Sequence, residues 1–250
     1  MLSWAAVNVL QKRIAKNLQR IRDDVAAACA GRGRDPRGVS IVAVTKSVSV
    51  EAVAAAVDLG LVELGESRVQ HLEERAAELK TMFQRRRRAK SPDVRWHMIG
   101  HLQRNKVRAV LDVAAVIHSL DSLRLAEAID LRAEQMGKVV DVLIQVNCSQ
   151  ESQKFGVAVG AAAYLGELVS TLKHLRLVGL MTLAPQAADA QKARPTFVRL
   201  RELFEEMRGH GVGGAEFRHL SMGMSQDYPV AVEEGATILR IGKALFGRRG

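Results

Sequence analysis

SIVAVTKSVSVEAVAAAVDLGLVEL, residues 40–64, contains one whole structural repeat. Ile41, Val42, Ala43 and Val44 make a short apolar, β-branched run, the pattern of a strand covered on both faces. Residues 49–59 follow with helical spacing of apolar positions, and 61–64 return to a strand pattern. Strand, helix and strand at this spacing imply two parallel strands joined by a crossover helix. The rhythm continues outward. Further strand runs fall at 95–99, 116–118, 139–146, 175–180, 217–220 and 237–241. Helical stretches lie at 69–82, 122–136, 161–172 and 195–208, with Ser122 placed as an N-cap before Leu123, Leu125, Ala126 and Ile129. Eight strand runs fit a closed (β/α)8 TIM barrel better than an open doubly wound sheet. No GxGxxG follows the first strand, which also weighs against a dinucleotide fold.

Upstream, Leu10, Ile14, Leu18, Ile21, Val25 and Ala28 recur every three or four residues. That is the stripe of a long amphipathic N-terminal helix, ended by Gly31, Gly33, Pro36 and Gly38. No linker composition divides the chain, so residues 1–250 are expected to form a single domain. Hydrophobic residues make up 48% and charged residues 26%, which excludes a disordered chain. Cys29 and Cys148 form no CxxC and read as reduced thiols of a cytoplasmic protein. No apolar run is long enough to span a membrane, and the first residues do not read as a signal peptide.

The net charge is +10, which raises nucleic acid or a small anion as a partner. Much of the excess is local: Arg85, Arg86, Arg87, Arg88 and Lys90 form one run, and Arg248 and Arg249 another. Such a run usually marks a solvated loop. With aromatics at only 4%, a base-stacking platform is disfavoured, so nucleic acid is not the expected partner. An RNA- or polyanion-binding barrel using residues 85–90 is the remote alternative.

In a barrel of this kind the C-terminal strand ends form the active face. Those ends carry Lys46, Gly65 and Glu66, His97, Gly100 and His101, His118, Ser119 and Asp121, Asn147, Met181 and Thr182, Ser221, Met222 and Gly223, and Arg240 and Gly242. Lys46 leaves the first strand; either apolar walls bury it and favour a neutral, carbonyl-attacking amine, or it snorkels out of the barrel mouth. Gly242, with the turn after it, and the loop Ser221-Met222-Gly223-Met224-Ser225 suggest a phosphate cup from two adjacent strands. Arg240 faces either a ligand or an ion pair with Glu233 or Glu234. The paired acids Glu73-Glu74, Glu205-Glu206 and Glu233-Glu234 read as solvated helix faces. His97 and His101 are four apart, but a strand-to-glycine break separates them, so hydrogen-bonded histidines are favoured over metal ligands; His118 is read the same way.

Taken in order, Ala43-Val44-Thr45-Lys46, Gly65-Glu66-Ser67-Arg68-Val69-Gln70, Trp96-His97-Met98-Ile99-Gly100-His101-Leu102-Gln103-Arg104-Asn105-Lys106, Gln145-Val146-Asn147 with Lys154 and Gly156, Gly179-Leu180-Met181-Thr182, Leu220-Ser221-Met222-Gly223-Met224-Ser225 and Arg240-Ile241-Gly242 resemble the pyridoxal phosphate homeostasis proteins. These look like the N-terminal barrel of alanine racemase, fold type III of pyridoxal phosphate proteins, without its second domain. The resemblance implies a carrier or regulator of pyridoxal 5′-phosphate (PLP) rather than an enzyme, with the cofactor held as a Schiff base on Lys46. It implies that Ser221, Gly242 and the Lys243 backbone hold the phosphate, that Gly223 is among the cofactor-binding residues and that Arg240 faces the pyridine nitrogen. Asn147 and Met222 would line the cofactor, with His97 and Ser119 nearby. PLP-dependent apo-enzymes would be its partners, and the chain would act as a monomer. An amino-acid racemase or lyase is the alternative; it would need a base opposite Lys46, and Tyr164 and Tyr228 are the only tyrosines. Three features depart from the family pattern: Lys243 replaces a small hydroxyl residue, Ser67 stands where Asn is usual, and the basic run at 85–90 is extra.

Overall fold

The computed structural model describes residues 4–46, 48–86, 92–149, 151 and 153–247. Eight parallel strands close into a barrel in sequence order. They are β1 (Ser40–Val44), β2 (Glu63–Glu66), β3 (Arg95–Met98), β4 (Ala114–Leu120), β5 (Val140–Gln145), β6 (Leu175–Met181), β7 (His219–Ser221) and β8 (Ile238–Ile241). Closure is made by β1 on β8, where Val42 lies opposite Arg240 and Ala43 opposite Ile241.

The first helix, α1 (Trp4–Ala30), precedes the barrel. Its Ile14, Leu18, Ile21 and Val25 are buried in the main core, as the periodic stripe predicts. Five helices match the helical spacings: α2 (Val50–Asp58), α3 (Val69–Arg85), α5 (Leu123–Gln135), α6 (Val159–Ser170) and α7 (Arg194–Gly209). Ser49 caps α2, its hydroxyl accepting from the Ala52 N–H at 3.3 Å. Ser122 holds the N-cap position of α5 with extended backbone, but its side chain makes no capping bond. Three helices escape sequence reading: α4 (Val107–Leu111), α8 (Tyr228–Glu233) and α9 (Lys243–Phe246). Each is too short to display a helical period.

Two apolar layers result. The large core lies between the barrel and the helices. A small second cluster of Val42, Val116, Leu143, Val178, Met181 and Ile238 fills part of the barrel. Such inward side chains make the barrel a packed core rather than a pore. Cys29 and Cys148 are both buried free thiols, and burial pushes the Cys148 thiol up to about 11. Among the described residues, no helix is long and apolar enough to cross a membrane.

Candidate functional site

Lys46 lies just beyond the end of β1. The backbone beside it is clamped. The Thr45 hydroxyl donates to Glu66 Oε1 at 2.6 Å, and Glu66 Oε2 accepts from the Ser67 N–H at 3.2 Å. Thr45 and Glu66 are buried, whereas Lys46 is exposed. Of the two readings of this lysine, its exposure matches the one that snorkels out of the mouth. Two residues past the strand, the chain has already left the packed interior.

The loops after β7 and β8 are fastened to each other. The Arg240 N–H donates to the Gly223 carbonyl at 3.0 Å, and the Ala244 N–H donates to the Ser225 hydroxyl at 3.0 Å. Gly223 has φ +94°, and a Cβ there would lie 2.6 Å from the Ala231 Cβ, so both conformation and space require glycine. Gly242 is different. A Cβ would meet only Val44 atoms, at 3.5 Å, an ordinary contact. The protein itself leaves room there, beside the start of α9. Lys243, the first residue of α9, is exposed.

Below this mouth, Arg240 is buried, and its two terminal nitrogens donate to the Ser221 hydroxyl at 2.6 Å and the Thr182 carbonyl at 2.8 Å. Burial pushes its guanidinium down to about 10, opposed by the Asp227 carboxylate, so it is still cationic at neutral pH. The Ser221 hydroxyl also lies 2.9 Å from His118 Nδ1. His118 Nε2 in turn lies 2.8 Å from His97 Nδ1, and His97 Nε2 contacts the Glu63 carboxylate. Burial lowers the His118 ring well below the ordinary histidine value, and the Arg240 cation lowers it further. Burial works to raise the Glu63 carboxyl, but the hydrogen bond from His97 and the nearby Arg95 cation help to outweigh it and hold it below the ordinary range. The predicted alternative partners of Arg240 are taken elsewhere: Glu233 pairs with Arg194, and Glu234 pairs with Arg194 and Arg201. Glu234 is buried, so the solvated face expected of this acid pair is corrected to an ion-pair cluster.

The structure thus brings Ser221, Arg240 and His97 into one buried network and sets Gly223, Gly242 and Lys243 above it. Other expected site residues are placed differently. Met222 packs in the main core outside the barrel. Asn147 closes its own loop, donating to the Glu151 carbonyl at 2.9 Å. The Ser119 hydroxyl is buried without a hydrogen-bond partner among the described residues. Glu63 was invisible from sequence, because it belongs to no recognisable chemical pattern; Thr182 and His118 appeared only as strand-end residues. Tyr228 starts α8, and its hydroxyl donates to Asp24 of α1, while Tyr164 is exposed on α6. Among the described residues, no group of three or more His, Cys, Asp or Glu is arranged to hold a metal. A cavity of about 310 Å³ lies at the opposite, N-terminal end, lined by Arg95, Lys138, Asp141 and Arg176 among others.

The family model described as alanine racemase, N-terminal domain, matches residues 11–250. A pyridoxal phosphate homeostasis protein of Aquifex aeolicus (strain VF5) is 38% identical over 235 residues, covering 94% of this chain and 97% of that one. The chain belongs to the pyridoxal phosphate homeostasis protein family. A solved relative, PipY of Synechococcus elongatus PCC7942 with PLP bound, is 32% identical with a TM-score of 0.75, covering 89% of this chain and 100% of that one. The alanine racemase of Corynebacterium glutamicum is 14% identical with a TM-score of 0.68, covering 96% of this chain and 62% of that one, a likeness of fold alone.

For this member of the homeostasis protein family, the three departures from pattern fall outside the buried network. Lys243 is exposed, and Ser67 contributes a backbone N–H to Glu66. Of the basic run, Arg85 ends α3 and Arg86 pairs with Asp58 at 2.9 Å; Arg87, Arg88 and Lys90 lie outside the described residues, as do Arg248 and Arg249.

Proposed function

We propose that this chain binds pyridoxal 5′-phosphate at the C-terminal mouth of the barrel and serves its intracellular homeostasis. In this reading residues 1–250 act as one domain, a cytoplasmic monomer that carries the cofactor to apo-enzymes. The observation that carries it is a single arrangement: an exposed lysine amine, two glycine loops tied together, and a buried cation beneath them. The residues suit the ligand. Gly242 is a glycine that no protein atom demands, as expected where a ligand is the close neighbour. The unpartnered Ser119 hydroxyl is a further buried polar group that a bound molecule would satisfy.

When bound, PLP supplies an aldehyde that condenses with amines and a ring that withdraws electrons. Lys46 is its anchoring amine, and its exposure keeps the anchor within reach of solvent. Gly223, Gly242 and the Lys243 N–H surround the phosphate. Ser221, whose hydroxyl is already engaged by Arg240 and His118, supports the cup from below. Arg240 faces the ring nitrogen, with Asn147, the Met222 backbone, His97 and Ser119 around it. An arginine stays charged at neutral pH and donates to the ring nitrogen without protonating it, so the ring is a weak electron sink. Tyr228 is held by Asp24 and Tyr164 is exposed on α6, so neither is placed as the opposing base of a racemase. Both features support a carrier over a catalyst.

The test is hydride trapping. Protein incubated with PLP absorbs in the visible, and borohydride bleaches it and fixes the label on Lys46. A colourless, unlabelled protein would overturn the proposal. α-Proton exchange from L-alanine in deuterated water, no faster than with free PLP, separates this reading from a racemase.

A further inference from the structure

The hydrogen bonds beneath the mouth have a single consistent direction. Arginine only donates and an ionised carboxylate only accepts, so both ends of the chain are fixed. Glu63 accepts from His97 Nε2–H. A neutral His97 then offers Nδ1 as acceptor, and His118 Nε2–H fills it at 2.8 Å. His118, kept neutral by burial, offers Nδ1, and the Ser221 O–H fills that at 2.9 Å. The Ser221 oxygen is left to accept from Arg240 at 2.6 Å. Every proton has an acceptor. In the opposite sense, both His118 and Arg240 would donate to Ser221, and its hydroxyl hydrogen would be stranded in a fully buried site.

The chain spans the barrel interior. Glu63 is the first residue of β2, at the N-terminal rim, and Ser221 is the last of β7, at the mouth. His97, His118, Ser221 and Arg240 are all buried, so water does not compete for their bonds. We propose that Glu63, His97 and His118 are positioning residues that hold Ser221, and through it Arg240, in one orientation toward the ring of a bound pyridoxal phosphate. The proposal rests on the cofactor reading above. It adds that the residue facing the ring is set from the far end of the barrel.

The first measurement needs no cofactor. ¹⁵N-histidine NMR of the protein alone should show His97 and His118 both as Nε2–H tautomers, and Glu63→Ala should disturb the His97 signal most. Nδ1–H or imidazolium at either ring would overturn the chain. The second measurement is the visible band and retention of PLP. His118→Phe removes both bonds and should loosen retention about fivefold and shift the band. His118→Asn keeps an acceptor for Ser221 and should recover most of both. Adding Ser221→Ala to His118→Phe should cost little more, because both act through one link. A parent protein that binds PLP, with His118→Phe indistinguishable from it, overturns the positioning role alone. A parent that takes up none overturns the cofactor reading as well. Far-ultraviolet circular dichroism of each variant separates these effects from unfolding.

Discussion

At the N-terminal rim of the barrel, Asp141 accepts from Arg95 at 2.5 Å and from Arg176 at 2.6 Å, so one carboxylate of β5 ties β3 and β6 together. At the C-terminal mouth, Arg240 binds a hydroxyl and a carbonyl, and Lys46 stands exposed. Both ends place arginines on the barrel strands. They differ in what completes them. The rim is closed by its own carboxylate, which is a device for holding strands together. At the mouth no carboxylate is hydrogen-bonded to Arg240, and Asp227 acts on it only through its charge, which suits the proposed cofactor site. Charge content does not separate structure from function here; the identity of the partner does.

The sharpest way to break this comparison is at the mouth. Lys46→Ala should lose the hydride-fixed label entirely, seen by peptide mapping, while some PLP stays in the phosphate cup through a desalting column. Retention equal to the parent would contradict the anchoring role. Gly223→Ala should destabilise the protein by about 3 kcal/mol in urea unfolding, because φ is left-handed and the Cβ collides with Ala231. The buried histidines predict a pH effect of defined sign. His118 and His219 are both held below 6.5, mainly by burial. Below about pH 6.5 the unfolded chain takes up protons that the folded one refuses, so stability falls with acid, by at most about 1.4 kcal/mol per pH unit for each histidine and most for His118. Urea midpoints that do not change between neutral pH and about pH 5.5 would contradict their neutrality. Gly242→Ala should weaken PLP retention about tenfold, measured by equilibrium dialysis, with the urea midpoint unchanged. If stability falls instead, this glycine serves the fold. Arg176→Gln, at the rim, should change stability by less than about 1 kcal/mol, because the arginine is half exposed, and should leave retention untouched.

Much of the fold was legible. Each of the eight strands overlaps an expected run, although β2 and β7 begin two residues later than their runs, and the five longer helices after the first match their periodic stretches. Helices α4, α8 and α9 were not legible, because five, six and four residues cannot display a period. The site was legible as strand-end chemistry at Lys46, Ser221, Arg240 and Gly242. Its burial was not. Lys46 read equally as walled in or as snorkelling and is exposed, and Glu234 was expected on a solvated face and is buried among arginines. Exposure depends on where a strand stops relative to its neighbours, and no local pattern encodes that.

The sequence alone determined the barrel, its order of strands and the residue types at its mouth, since apolar period and strand-end chemistry are local properties. Only the tertiary structure decided that Glu63, His97, His118, Ser221 and Arg240 form one line of hydrogen bonds. These residues come from five strands, and closing β1 against β8 is what lets side chains so far apart in sequence share one buried interior.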